Sequence, residues 1–175
     1  MKIARRFTVA DKSPYELFTY VLRTSELKGN GNKVIFQMDD VEVPESWSQV
    51  ATDILAQKYF RKAGVPLVDK DGNPILDENG VQKTGPERSI RQVVHRLAGC
   101  WRWWGEKYGY FSTAEDAQVF YDEIAYMLLH QMAAPNSPQW FNTGLHFAYG
   151  IERKPQGHYF VDPDTKRLKQ STDAY

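Results

Sequence analysis

The sequence predicts an α+β fold made of an N-terminal β-hairpin, a layer of three helices and a C-terminal hairpin. The first hairpin is expected at residues 15–44, where two segments rich in β-branched and aromatic residues flank the turn sequence KGNGN. Three later stretches repeat apolar residues every three or four positions, which is typical of amphipathic helices. Near the end of the chain, "GHYFV" and "KRLKQS" flank "DPDT", and this pattern favours the second hairpin.

Short signals flank the first hairpin. "RRFTV", residues 5–9, alternates apolar and polar side chains and predicts a short strand. Pro44 is expected to end the hairpin, because proline has no N–H to donate to a strand ladder.

The three helices are expected at about residues 45–63, 88–108 and 113–133. In each, the apolar side chains fall on one helical face. The predicted faces consist of Trp47, Val50, Ala51, Ile54, Leu55 and Tyr59; of Ile90, Val93, Val94, Leu97, Trp101, Trp104 and Tyr108; and of Ala117, Phe120, Tyr121, Ile124, Met127 and Leu128.

Polar residues and proline mark the ends of these helices. Glu45 and Ser46 are expected to start the first helix. Ser112 and Glu115 have the spacing of a capping box at the start of the third helix. Pro135 is expected to end the third helix, since proline cannot continue one.

The second helix carries polar and reactive residues off its apolar face. Arg91, Arg96 and Arg102 are predicted on a solvated face, with anion binding as the alternative. Cys100 is the only cysteine in the chain and has no catalytic partner near it in sequence. We therefore expect a packed, unreactive thiol.

Residues 65–87 are polar and rich in turn sequences, and they predict a solvated surface loop that includes a small hairpin or a flexible excursion. Asp69, Asp71 and Asn73 alternate as calcium ligands do. Pro74 stands where such a loop needs glycine, so the calcium pattern fails.

Composition excludes several classes of function. The chain has 22 basic and 22 acidic residues, so it lacks the net positive charge of a general nucleic-acid binder. It contains neither an apolar run long enough to span a membrane nor a secretory signal, and a cytoplasmic location is expected. The four histidines have no metal-ligand spacing, so no metal site is expected.

The most unusual segment is "MAAPNSPQWFNTGL", residues 132–145. Residues before proline are pushed out of the helical conformation, so Ala134 and Ser137 should be extended. Pro138 is then expected to start a short helix that Gly144 ends, with Ser137 as the N-cap. The free N–H groups of a helix start favour a bound anion such as a phosphate. The alternative is that Ser137 only caps the helix and the aromatic side chains only pack.

Four long segments, in the same order, resemble the N-terminal part of adenosylcobalamin-dependent, class II, ribonucleotide reductases. They are "VEVPESWSQVATDILAQKYFRKAGVP", "SIRQVVHRLAGCWRWWGEKYGYFSTAEDAQVFYDE", "QMAAPNSPQWFNTGLHFAYGI" and "GHYFVDPDTKRLKQSTDAY". The resemblance implies an enzyme that reduces ribonucleotides inside a ten-stranded α/β barrel. Cobalt–carbon homolysis produces a thiyl radical that removes the ribose 3′ hydrogen, and a cysteine pair supplies two electrons.

The resemblance also implies an organisation and a site. Residues 1–134 would form the N-terminal domain, and residues 135–175 would form the start of the catalytic barrel. Ser137 would hydrogen-bond the bound nucleotide, with Asn136 as a weaker candidate. The family branch suggests ribonucleoside diphosphates as substrates. Trp140 and Phe141 would anchor this segment against the helical layer.

The family chemistry needs at least three cysteines, whereas this chain has only Cys100. We therefore expect the opening portion of a reductase, inactive alone, whose catalytic, cobalamin-binding and effector-binding residues belong to a remainder in the same or a separate polypeptide. A homodimer of the complete enzyme is a further implied partner. Trp101, Trp104 and Tyr108 are expected to pack partly on that remainder. The alternative is a non-catalytic module, derived from the reductase N-terminus, that binds a nucleotide or a partner protein.

Overall fold

The computed structural model describes residues 1–69, 71–152 and 157–172. Within these ranges helices occur together with three two-stranded antiparallel sheets, in agreement with an α+β fold. None of these helices combines the length and apolar character that a bilayer span requires. The strands are β1 Tyr20–Lys28, β2 Val34–Pro44, β3 Val65–Pro66, β4 Thr84–Gly85, β5 Tyr159–Val161 and β6 Leu168–Gln170. The helices are α1 Gln49–Ile54, α2 Ile90–Lys107, α3 Ala114–Leu129, α4 Ser137–Asn142 and α5 Leu145–Tyr149, and a π-helical turn, Leu55–Tyr59, directly continues α1.

Strands β1 and β2 confirm the first hairpin, which begins at Tyr20, later than predicted, because Pro14–Leu17 forms a 3-10 turn. Gly31 turns the chain between the strands with a φ of 71°, a value that favours glycine. At the other end of the hairpin, Val41 and Val43 are fully buried in the main core.

Residues 5–9 do not form the predicted strand. The backbone N–H and the hydroxyl of Thr8 instead donate to the Glu123 carboxylate on α3, at 2.9 and 2.6 Å. Arg5 forms an ion pair of 2.6 Å with Asp122 on the same helix. The polar groups of this segment are thus satisfied by side chains instead of by a strand ladder.

The first helix starts later than predicted. Its N-cap is Ser48, whose hydroxyl accepts from the Ala51 N–H at 3.1 Å, so the expected start at Glu45 and Ser46 is wrong. Trp47 precedes the helix and donates its indole N–H to a main-chain carbonyl at the end of α3.

The predicted apolar face of this helix is wrong at two positions. Val50 and Ile54 remain 66% and 47% exposed, whereas Thr52 is fully buried. The Thr52 hydroxyl donates to the Ser48 carbonyl at 3.0 Å, so the buried hydroxyl has a hydrogen-bond partner. The helix is therefore rotated so that Thr52 and Leu55 face the core.

Helix α2 confirms the second predicted helix. Ser89 and Gln92 form a reciprocal capping box at its start. Four residues of its predicted apolar face are fully buried, namely Ile90, Val93, Val94 and Leu97. Towards the end of the helix the same face emerges from the core, since Trp104 and Tyr108 are 43% and 61% exposed.

Helix α3 confirms the third predicted helix but not its ends. Its N-cap is Thr113, whose hydroxyl accepts from the Asp116 N–H at 3.1 Å, so the capping box of Ser112 and Glu115 is wrong. The helix ends at Leu129, before the predicted end at residue 133.

Residues 65–87 form a small meander of antiparallel pairs, which agrees with the predicted small hairpin and not with a flexible excursion. Strands β3 and β4 pair, and isolated bridges join Val68 to Pro74 and Leu76 to Gln82. The Asp69 carboxylate accepts backbone N–H bonds within its own turn, at 2.8 and 2.9 Å. In the part of the chain that the structure describes, no cluster of His, Cys, Asp and Glu is suited to a metal ion.

Strands β5 and β6 confirm the C-terminal hairpin. The Asp162 carboxylate holds its turn, because it accepts from the Thr165 N–H at 2.7 Å and pairs with Lys169 at 2.6 Å. The lysine and these hydrogen bonds lower the pKa of Asp162 to about 2. Residues 173–175, the end of the family-like "STDAY" sequence, lie outside the described residues.

Candidate functional site

The segment around Ser137 forms the short helix α4, as predicted, but its cap differs. Asn136 is the N-cap, with extended φ and ψ of −67° and 162°, and Ser137 is the first helical residue. The predicted N-cap at Ser137 is therefore wrong. Its Oγ atom instead lies 3.3 Å from the hydroxyl oxygen of Tyr59.

Both candidate residues are exposed, as a ligand contact requires. The Asn136 side chain makes no capping bond with the helix. Because α4 has only six residues, its dipole is small, and recognition of a ligand falls to the side chains.

Aromatic rings fix α4 against the rest of the protein. Trp140 is only 8% exposed and stacks on Tyr59, with ring centroids 5.4 Å apart. This confirms the predicted anchoring role of Trp140. Phe141 also contacts Tyr59, with ring centroids 5.5 Å apart, but its side chain remains 42% exposed.

A buried arginine on α2 binds carbonyl groups at the end of α4. Arg96 on α2 is fully buried, so the prediction of a solvated side chain is wrong. Its Nη2 donates to the Trp140 carbonyl at 2.7 Å and its Nη1 to the Thr143 carbonyl at 2.9 Å. These carbonyls lie at the C-terminal end of α4, where carbonyl groups lack partners within the helix.

Glu87 neutralises this arginine. The Arg96 Nε atom lies 2.8 Å from Glu87 Oε1, and both side chains are fully buried. Glu87 also accepts from the Tyr149 hydroxyl and from the Arg61 N–H, each at 2.7 Å. Burial and the negative charge of Glu87 raise the pKa of Tyr149, so this phenol stays a hydrogen-bond donor.

Gly144 lets the chain turn directly over α2. Its φ is +77°, and a Cβ atom at this position would overlap the Arg96 carbonyl group. Burial raises the pKa of the Cys100 thiol, one turn further along α2. Cys100 is 4% exposed, which confirms the expected packed cysteine.

Three neighbouring cavities of about 600, 340 and 400 Å³ lie on another part of the surface. They surround a hydrogen-bonded chain in which the Tyr121 hydroxyl lies 2.9 Å from both the Tyr15 hydroxyl and His95 Nδ1. Asn136 and Ser137 line none of the three.

Comparison with known proteins identifies the family. A family model for class II vitamin B12-dependent ribonucleotide reductase matches residues 21–131, more than half of the chain. The chain belongs to this family. The resemblance noted in the sequence is confirmed, and the match extends from β1 to just beyond α3.

Individual reductases align along most or all of the chain. The vitamin B12-dependent ribonucleotide reductase of Bradyrhizobium diazoefficiens is 52% identical over 191 positions, which cover the whole chain and 15% of that reductase. That of Agrobacterium fabrum is 49% identical with the same coverage. That of Rhodopirellula baltica is 37% identical over 87% of the chain and 13% of its own length. The chain therefore spans about 15% of the length of the first two reductases.

The range matched by the family model includes only some residues of the candidate site. Tyr59, Glu87 and Arg96 lie inside the matched range, whereas Ser137 follows it and is covered by the two full-length alignments. Sequence reasoning missed the first three as parts of the site. Their roles depend on contacts between distant segments, and no local pattern reveals such contacts.

Proposed function

We propose that this chain is the N-terminal portion of a ribonucleotide reductase that converts ribonucleoside diphosphates with adenosylcobalamin. The chain supplies scaffold and one wall of the substrate pocket, where Ser137 hydrogen-bonds the nucleotide and Asn136 is a weaker contact. Residues 135–175 begin the catalytic barrel in this proposal.

The observation that carries the proposal is an exposed hydroxyl on a rigid support. Ser137 is exposed, while the next turns of α4 are held by the buried ring of Trp140 and by two hydrogen bonds from Arg96. A hydrogen-bond donor that is already ordered loses little entropy when it binds a ligand. More of its hydrogen-bond energy therefore contributes to the affinity.

The residues of this chain do not suit the radical chemistry itself. Cys100 is buried, so its thiol is unsuited to reach a substrate. When it is bound, adenosylcobalamin supplies the radical that starts the reaction. We assign no cobalamin contact to this chain and place the cofactor and the reactive cysteines in the remainder of the reductase.

Steady-state kinetics of the full-length reductase tests the proposed contact. Ser137→Ala is expected to lower kcat/KM by roughly 5- to 150-fold, which is equivalent to about 1 to 3 kcal/mol for one ligand hydrogen bond, without a change in melting temperature. Ser46→Ala removes another exposed serine hydroxyl and should have no effect. Equal kinetics for the two variants would remove Ser137 from the site.

The buried state of Cys100 also favours a second candidate, a non-catalytic module that binds nucleotide or a partner protein. Such a module should bind without the rest of a reductase. Calorimetry of the isolated chain with ADP and ATP tests this, since micromolar binding would favour the module. Recovery of ribonucleotide reduction on mixing with a separately produced downstream half, without nucleotide binding by the isolated chain, would favour the reductase segment.

A further inference from the structure

The hydroxyl groups of Tyr59 and Ser137 face each other at the edge of α4, with Oη and Oγ 3.3 Å apart. A strong O–H···O bond measures about 2.7–2.8 Å, so neither hydroxyl is tightly held by the other. One acceptor oxygen placed about 2.8 Å from both atoms would receive a hydrogen bond from each. Ser137 is exposed and Tyr59 is only partly buried, so a ligand can reach both.

We propose that Tyr59 is a second phosphate-binding residue of the substrate site, whose hydroxyl donates together with that of Ser137 to one phosphate oxygen of the nucleotide. The inference rests on the proposed function, which supplies the ligand. Hydrogen bonds to a charged oxygen are about twice as strong as those between neutral groups. The phosphate therefore replaces the long contact between the two hydroxyls.

A π-helical turn brings Tyr59 to this position. The Phe60 N–H donates to the Leu55 carbonyl, five residues back, at 2.9 Å, and this wider turn shifts the residues after Leu55 from their α-helical positions. The Tyr59 ring stacks on Trp140, and its carbonyl accepts from Arg96 Nη2 at 3.4 Å. The buried groups that hold α4 thus also hold Tyr59, so the two hydroxyls keep their spacing.

The charges beneath the two hydroxyls allow an anion to bind. Glu87 is fully buried, and its charge is balanced by Arg96 at 2.8 Å. A phosphate above Tyr59 and Ser137 therefore meets no net negative charge from this pair.

The test uses the full-length reductase with Tyr59→Phe, which removes the hydroxyl and keeps the ring that stacks on Trp140. We expect the KM for cytidine diphosphate to rise about tenfold, with kcat within about twofold and an unchanged melting temperature. Tyr110→Phe removes an exposed tyrosine hydroxyl from the α2–α3 connection and should leave the KM unchanged.

The double variant with Ser137→Ala separates direct contact from an indirect effect. If Tyr59 touches the phosphate, Tyr59→Phe raises the KM further in the Ser137→Ala background. A KM equal to that of Ser137→Ala alone overturns the inference, because Tyr59 would then act only through Ser137. A raised KM for Ser137→Ala with a normal KM for Tyr59→Phe also overturns it but leaves the proposed function intact. Normal values for both variants remove the proposed function as well.

Discussion

Arg96 and Glu87 form an ion pair in which both side chains are fully buried and Nε lies 2.8 Å from Oε1. The pair links α2 to the segment before it, and the remaining Arg96 N–H groups bond to carbonyls of Tyr59, Trp140 and Thr143. A short helix that carries an exposed serine is thus fastened to the core by one guanidinium group, whose five donors suit several acceptors at once.

Loss of this guanidinium group should destabilise the protein strongly. Arg96→Met leaves the Glu87 carboxylate buried without its partner, which typically costs about 3–5 kcal/mol. Urea unfolding followed by tryptophan fluorescence measures the change in the free energy of unfolding.

Arg102→Met is the matched control for this arginine. Arg102 lies on the same helix and pairs with Glu106 at 2.9 Å, but both side chains are partly exposed. Such a pair contributes about 0.3–0.5 kcal/mol. A loss for Arg96→Met no larger than that for Arg102→Met would contradict the buried role of Arg96.

Gly144→Ala should be poorly tolerated for two separate reasons. The φ of +77° disfavours a side chain, and the added Cβ atom would overlap the Arg96 carbonyl. We expect a loss of more than about 3 kcal/mol, as overpacking adds to the conformational cost. Gly109→Ala shares the positive φ, at +66°, but meets no atom within 4 Å, so it should cost only about 1 kcal/mol. Similar losses in thermal unfolding would show that the turn at Gly144 is not packed closely on α2.

Ionisation of Tyr149 should make the protein less stable at alkaline pH. Its pKa is raised by burial and by Glu87, so its contribution is fully present below the unfolded pKa of about 10 and is lost as the pH rises further. Between pH 10 and 11, the free energy of unfolding of the unmodified protein falls as the pH rises. In Tyr149→Phe this fall should be smaller by up to about 1.4 kcal/mol per pH unit. Tyr110→Phe, at an exposed position, should follow the unmodified protein. Identical slopes for the two variants would argue against a buried phenol beside Glu87.

Removal of the α3 cap distinguishes two adjacent residues. Thr113→Ala should cost about 1 kcal/mol, because the Thr113 hydroxyl accepts from the Asp116 N–H. Ser112→Ala should change the free energy of unfolding by less than about 0.5 kcal/mol. Denaturant midpoints measure the loss of stability in both variants. A larger loss for Ser112→Ala than for Thr113→Ala would support Ser112 as the cap, as expected from the sequence.

The hairpin β1–β2 and helices α2 and α3 could be predicted because their signals are local. The turn at Gly31 and the apolar repeat from Ile90 to Leu97 each specify structure within a few residues. Helix starts are less certain from sequence. Ser112 and Thr113 are both good caps one position apart, and only the backbone conformation decides between them.

The support of the candidate site could not be predicted because it depends on distant contacts. Arg96 resembles a solvated residue in its helical position, and its burial follows from Glu87, Tyr59 and α4 approaching together. The π turn that places Tyr59 has no sequence signal comparable to a cap. The exposed position of Ser137 agrees with the expectation for the segment, and its role in binding remains a prediction.

The most direct test of a substrate contact at Ser137 is a crystal structure of the full-length reductase with a bound ribonucleoside diphosphate. We expect Ser137 Oγ within about 3 Å of a phosphate oxygen, the distance of a hydrogen bond. A nucleotide bound elsewhere, with Ser137 in contact only with Tyr59 or solvent, would contradict the proposed site.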